Sequence, residues 1–136
     1  MTDIQAAIAA AASGMRAQTV RMRIAAENVA NANSTGDSPT EEPFRRRIPL
    51  LESTTLAAGA KGVRVTGAAF DMSNFREEYN PSHPAADEAG YVRLPNVDTL
   101  VEMMDLREAT RAYEANLNMI DAARTMTTRA LDLLRR

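Results

Sequence analysis

Apolar residues recur every three or four positions at both ends of the chain, whereas the middle lacks this pattern. The N-terminal series runs Ile4, Ile8, Ala11, Met15, Gln18, Met22, Ala25, Val29 and Ala32. The C-terminal series runs Met103, Leu106, Thr110, Tyr113, Leu117, Ile120, Arg124, Thr127, Leu131 and Leu134. A repeat of about 3.5 residues keeps one side of a helix against a partner. The pattern predicts two long helices that pack with other helices.

The predicted fold is mainly α, with long N- and C-terminal helices that pair as a coiled coil around a small β-rich or extended middle. We divide this one structural unit into residues 1–36, 37–95 and 96–136. The first helix is expected to begin at an Asp3 cap and to run to about Asn33. For the second helix, Asn96 or Asp98 is the expected cap, with Glu102 in capping-box register after Thr99.

Strands are expected only in the middle segment. Alternating polar and apolar residues favour strands at 44–51 and 62–65, joined by a glycine-containing turn, and a further short strand at 91–94. Two prolines make residues 80–84 a rigid loop. We therefore expect a small β-rich insert or extended arm between the helices.

The two series are expected to form interfaces between subunits. Aromatic residues make up only 4% of the chain, so alanine and methionine fill much of the apolar quota. Each small side chain buries little area, which favours packing into a larger assembly. The predicted subunit-packing residues are Ile4, Ile8, Met15, Met22, Val29, Met103, Leu106, Tyr113, Leu117, Ile120, Leu131 and Leu134.

Catalytic and ligand-binding chemistry is not predicted. The net charge of −2 gives no basic field for nucleic acid, and the chain has no cysteine. His83 is the only histidine, and it lacks a neighbouring nucleophile or ligand cluster. We expect no enzyme activity, cofactor, metal or small-molecule substrate. The Arg45–Arg46–Arg47 run has two readings, a phosphate or lipid-headgroup patch and a salt-bridged strand whose side chains alternate between faces.

Asparagine is concentrated where the first helix runs out, at Asn28, Asn31 and Asn33 before Gly36. Asparagine is a poor helix former, so the cluster fits simple helix termination. A polar residue at a packed position can also fix the register between helices. The residue chemistry leaves both interpretations open.

Several stretches resemble the bacterial flagellar rod, hook and hook-associated proteins. Residues 26–36, AENVANANSTG, are similar to the signature that closes the N-terminal helix in that family, and SGMRAQ at 13–18 fits the same helix. Residues 79–87, YNPSHPAAD, and 90–98, GYVRLPNVD, resemble blocks of the basal-body rod members, as do 102–104 and 111–116 in the second helix. The residues that carry the motif are Asn28, Asn31, Asn33, Gly36, Pro95, Asn96 and Asp98.

The resemblance implies a structural subunit of the proximal rod, the periplasmic drive shaft that transmits torque from motor to hook. It implies export by the flagellar type III apparatus without a cleaved signal peptide. The implied partners are copies of the chain, other rod proteins, the adaptor between membrane ring and rod, and the export apparatus. An alternative that the residues leave open is a soluble helical-bundle adaptor or secretion-linked chaperone.

Overall fold

The computed structural model describes residues 2–135, so Met1 and Arg136, the outermost residues of the predicted segments, lie outside it. The elements, in chain order, are α1 Thr2–Ala30, β1 Arg47–Thr55, a 3₁₀ turn Ala57–Gly59, β2 Lys61–Phe70, β3 Arg76–Tyr79, β4 Tyr91–Leu94 and α2 Thr99–Leu134. About half of the chain is helical. The prediction of two terminal helices around a β-containing middle is confirmed.

The two helices lie side by side and antiparallel. The side chains of Asn28 and Glu102 are hydrogen-bonded at one end, and Gly14 lies against Asn116 further along. With 36 residues against 29, α2 is longer than α1 by about 10 Å. The register therefore leaves residues 129–134 of α2 beyond the start of α1.

The predicted Asp98 start of α2 is confirmed, whereas the capping box at Glu102 and the Asp3 cap are wrong. Asp98 is the N-cap of α2, because its Oδ1 accepts the backbone N–H of Leu100 at 2.9 Å. The Glu102 side chain points away from the cap and bonds to Asn28, so no capping box forms. Asp3 lies inside the first turn of α1, where its charge favours the positive end of the helix dipole.

Two separate antiparallel sheets form the middle. β1 pairs with β2 around a bulge between Leu50 and Leu51, and β3 pairs with β4. The strand at 91–94 is confirmed. β1 lies three to four residues after the predicted 44–51, and β2 extends beyond the predicted 62–65 in both directions. β3 was missed because its sequence, REEY, has three charged residues in four and is exposed throughout. Gly90, with φ of 86°, closes the turn between β3 and β4 tightly, since a Cβ there would meet the Tyr79 ring at 2.8 Å.

Small residues dominate the core. The buried apolar side chains are Ala11, Ala17, Ile24, Ala25, Ala32, Ala85, Val92, Val97, Ala109, Ile120 and Ala123. Alanine at the contact lets two helices approach closely, but it contributes little buried area. Within residues 2–135, neither helix has a stretch apolar and long enough to cross a membrane.

Candidate functional site

Asn28 joins the end of α1 to the first strand and to the second helix. Its amide nitrogen donates to the Arg47 carbonyl at 2.9 Å and to Glu102 Oε2 at 3.1 Å. Its amide oxygen accepts the Arg47 N–H at 3.0 Å. The side chain is only 1% exposed, so its polar atoms depend on these partners. The structure therefore supports the interpretation of Asn28 as a residue that fixes register, beyond simple helix termination.

An arginine crosses the same junction. Arg46 Nε bonds to Glu102 Oε1, and its Nη1 and Nη2 lie 3.4 Å from Asp71 and 3.6 Å from Asp105. Burial disfavours the charged guanidinium, but the hydrogen bonds and charges of Glu102 and Asp71 outweigh it and raise the pKa of Arg46. Hydrogen bonds from the Ser73 backbone and hydroxyl, supported by Arg46, lower the pKa of Asp71 although burial opposes them. Both shifts favour the ionised forms of Arg46 and Asp71.

The segment before α2 is fixed by the second block of motif residues. Asn96 Oδ1 accepts the Arg46 N–H at 2.8 Å, and its amide nitrogen donates to the Asp71 carbonyl at 2.9 Å. Pro95 is buried, and its carbonyl accepts Arg76 Nε at 3.1 Å. The same arginine donates to the Ala32 carbonyl at 3.2 Å, so it links the end of α1 to the approach to α2.

The other motif residues act locally. Asn31 donates to the Glu27 carbonyl at 2.9 Å and accepts the Ser34 hydroxyl at 3.1 Å, which closes the helix end. Asn33 is exposed. At Gly36 a Cβ would meet the Glu41 Cβ and carbonyl oxygen at 2.7 Å, so the loop 36–41 requires a residue without a side chain. The asparagine cluster thus combines both interpretations, with Asn28 joining elements and Asn31 ending the helix.

Neighbouring residues in the middle of α1 contact different elements. Ser13 Oγ accepts the Val63 N–H of β2 at 3.1 Å, which fastens the tip of the β1–β2 hairpin to the helix. At Gly14 a Cβ would meet the side-chain amide of Asn116 at 2.8 Å. A glycine inside a helix commonly marks either a close helix crossing or a kink. Gly14 marks a close crossing of α1 and α2.

The predicted stripe of α2 only half coincides with the side that packs on α1. Buried Ile120 and half-buried Leu106 and Tyr113 belong to both. At four other positions of the predicted stripe, the residue that faces α1 is the one immediately before the predicted residue. These four residues are Glu102, Ala109, Asn116 and Ala123. The predicted residues Met103, Leu117, Leu131 and Leu134 are exposed instead. In α1, Ile4, Ile8, Met15, Met22 and Val29 are all half-buried.

A second apolar stripe lies on α2 about a third of a turn away from the side that packs on α1. Ala115, Met119, Ala122, Met126 and Leu133 follow helical spacing on one face, and all five are exposed. Their spacing of three, four and seven residues could have revealed them, but the larger residues of the other series masked the signal. We call these five residues the outer stripe. Large methionine and leucine side chains left in water are typical of an interaction surface.

The remaining candidates have structural roles. His83 Nδ1 accepts the Ala85 N–H at 3.0 Å within its loop. Arg46 and Arg47 form ion pairs with carboxylates, and Arg45 stacks on Phe75 at 4.2 Å. The salt-bridged reading therefore holds for Arg46 and Arg47, but only Arg47 lies in a strand. Among residues 2–135 no cluster of three or more histidine, aspartate or glutamate side chains could hold a metal ion.

Comparisons with known proteins agree with this architecture. Residues 88–133 match the family model described as flagellar basal body rod FlgEFG protein C-terminal. The chain is 43% identical to the flagellar basal-body rod protein FlgC of Agrobacterium fabrum over 99% of this chain and 98% of the relative. It is 38% identical to FlgC of Aquifex aeolicus over 97% and 98%. For FlgC of Escherichia coli O6:H1 the identity is 33% over 90% and 92%.

These similarities define a structural protein of the bacterial flagellar axis, located in the basal body. More particularly, the chain belongs to the family of the flagellar basal-body rod protein FlgC. The prediction of a structural subunit of the proximal rod is confirmed by these relatives.

Proposed function

We propose that the chain transmits torque in the rod through a rigid helix pair that presents its outer stripe to neighbouring subunits. The observation that carries the proposal is the exposure of Met119 and Met126, 53% and 54%, on a helix that already packs a different face against α1. Burying a methionine side chain contributes about 2 kcal/mol. Copies that add head to tail around such contacts form an open helical path.

The junction supports the mechanical part of this role. Asn28, Arg46 and Glu102 connect the two helices and β1 through hydrogen bonds in a buried site. A buried polar network has few alternative arrangements, because any shift leaves a donor or acceptor unpaired. Torque applied to one helix would therefore pass to the other helix and to the hairpin.

The predicted interface and segments remain part of this proposal. Exposed Met103, Leu117, Leu131 and Leu134 extend the surface available to other subunits. We propose that α1 and α2 pair as a coiled coil, that residues 1–36, 37–95 and 96–136 act as one unit, and that the subunit works without catalysis, cofactor or nucleic acid. The proposed partners are copies of the chain, other rod proteins, the membrane-ring adaptor and the type III export apparatus, which would pass the chain to the periplasm without signal cleavage.

Imaging of labelled basal bodies tests the proposal. The chain has no cysteine, so an Ala89→Cys variant carries a single thiol in an exposed turn that can be labelled with gold. We expect the label in the periplasmic part of the rod adjoining the membrane ring, in cells that swim normally. A label confined to soluble cytoplasmic complexes would contradict the proposal and would favour the adaptor or chaperone alternative.

A further inference from the structure

A furrow runs between α1 and the β1–β2 hairpin. It consists of two adjoining cavities of about 380 Å³ each, which share Val20 and Val65 in their walls. Along α1 it extends from Ser13 to Ile24, a distance of about 16 Å. Small apolar residues, among them Ala17 and Ala68, line its floor. A four-residue turn, whose end Cα atoms lie within about 7 Å of each other, fits within this length.

All charged residues that line the furrow are arginines. Arg16 and Arg64 flank one half, and Arg23 and Arg47 flank the other. Glu27 pairs with Arg23 and Arg47, and Glu52 pairs with Arg64. Arg16 forms no ion pair with any residue of the 2–135 range. Four positive charges face two negative ones, so the furrow attracts an acidic segment.

One wall of the furrow offers backbone groups as well as charge. Ser13 takes the N–H of Val63, so Val63 does not bond to its β1 partner Ser53. Bonded and non-bonded pairs alternate along an antiparallel ladder, which places the backbone N–H and C=O of Val65 on the same side. These backbone groups can form hydrogen bonds with a segment that enters the furrow.

The acidic loop 37–42 of this chain has matching properties. It contains Asp37, Glu41 and Glu42 with no basic residue, and all three are exposed. Pro39 and Thr40 form a turn, which the Glu41 N–H closes on the Ser38 carbonyl at 3.2 Å, so the loop is compact. The loop cannot reach the furrow of the same molecule, because two hydrogen bonds hold it elsewhere. Arg93 donates to the Pro39 carbonyl at 3.4 Å, and the Phe44 N–H donates to the Ser34 carbonyl at 3.0 Å.

We propose that the furrow binds the acidic loop 37–42 of a neighbouring copy of this chain. The inference rests on the proposed function, since it needs copies that lie side by side in the rod. Furrow and loop are different surfaces of the same molecule, so the contact is heterologous and leaves one of each free at the ends of a row. Contacts of this kind add to those of the outer stripe.

Cysteine cross-linking tests the contact. Cells would produce two versions of the chain, one with Thr40→Cys in the loop and one with Thr66→Cys in the furrow wall; both positions are exposed. A short bismaleimide linker is applied to isolated basal bodies. We expect a dimer that contains one copy of each version. The matched control replaces Thr66→Cys by Ser53→Cys, an exposed position on the other strand of the hairpin, and is expected to give no dimer.

Charge reversal sharpens the result. Glu41→Arg with Glu42→Arg is expected to lower the dimer yield by about fivefold or more, and 1 M salt is also expected to lower it.

A second cysteine pair, Ser38→Cys with Thr54→Cys, covers the case in which one substitution disturbs its loop. Failure of both pairs in basal bodies that contain the chain overturns the inference alone. Absence of the chain from basal bodies overturns the proposed function as well, and a dimer with Ser53→Cys as strong as with Thr66→Cys refutes the assigned surface.

Discussion

The two sides of α2 differ in the size of the side chains they carry. The side against α1 is built from small and polar residues such as Ala109, Asn116 and Ala123, whereas the outer stripe carries Met119, Met126 and Leu133. Small residues permit close backbone approach, and hydrogen bonds give the contact a fixed register. The chain thus uses little of its apolar surface to fold and leaves much of it for neighbours.

The largest effect on folding is expected at the junction. Arg46→Met leaves the carboxylate of Glu102, which is 2% exposed, without its charged partner. We expect the free energy of unfolding to fall by about 3 kcal/mol, measured by urea denaturation. Arg64→Met is the matched control, because its pair with Glu52 is 65% and 60% exposed and is expected to contribute less than about 1 kcal/mol. Equal losses in the two variants would contradict the role of the junction.

A smaller effect is expected at the helix crossing. Gly14→Val introduces a side chain where the Asn116 amide lies, and overpacking of this kind costs about 2 kcal/mol. Asn116→Ala in the same chain removes the obstacle and should restore at least half of the loss. Ala26→Val, at an exposed position of α1, should cost only about 0.5 kcal/mol. Thermal unfolding of the three variants beside the wild type measures these losses, and a double variant as unstable as Gly14→Val would refute the assigned contact.

The smallest effect concerns acid. The pKa of Asp71 is lowered in the folded chain, so its contribution to stability is present above the ordinary value of 3.8 and is lost as the pH falls through the lowered value. Asp71→Asn should therefore lose less stability than the wild type between about pH 5 and pH 2. Ser73→Ala removes one of the hydrogen bonds to Asp71 and should give an intermediate curve. Identical acid curves for all three chains would exclude this contribution.

The sequence reveals the helices and the last strand because their periodicity is a local property. Asp98 is one of the two caps that the sequence predicts for α2. The packed side of α2 could not be assigned, because Glu102 and Asn116 are polar and owe their burial to Arg46, Asn28 and Gly14, which are distant in sequence. An apolar stripe predicts that a surface is buried, but it does not predict whether the same chain or another subunit buries it.

β3 and the outer stripe are not predicted by the sequence, for two different reasons. β3 lacks an apolar face and is held by its pairing with β4, whose Val92 is buried. In α2, Met103 and Leu117 lie beside the packed side and dominate the hydrophobic pattern, whereas the residues that touch α1 are smaller. A prediction from the hydrophobic pattern favours large side chains, and it therefore misses the small residues at which two helices approach closely.

The most direct test compares the adjacent residues Met119 and Ile120, which lie about 100° apart around α2 and are 53% and 8% exposed. The measurement is the amount of each aspartate variant in isolated basal bodies, read beside its unfolding midpoint. Ile120→Asp should lose about 3 kcal/mol of stability because it buries a charge in the helix pair. Met119→Asp should fold within about 1 kcal/mol of the wild type and yet be missing from basal bodies. Normal incorporation of Met119→Asp would contradict the assignment of the outer stripe to neighbouring subunits.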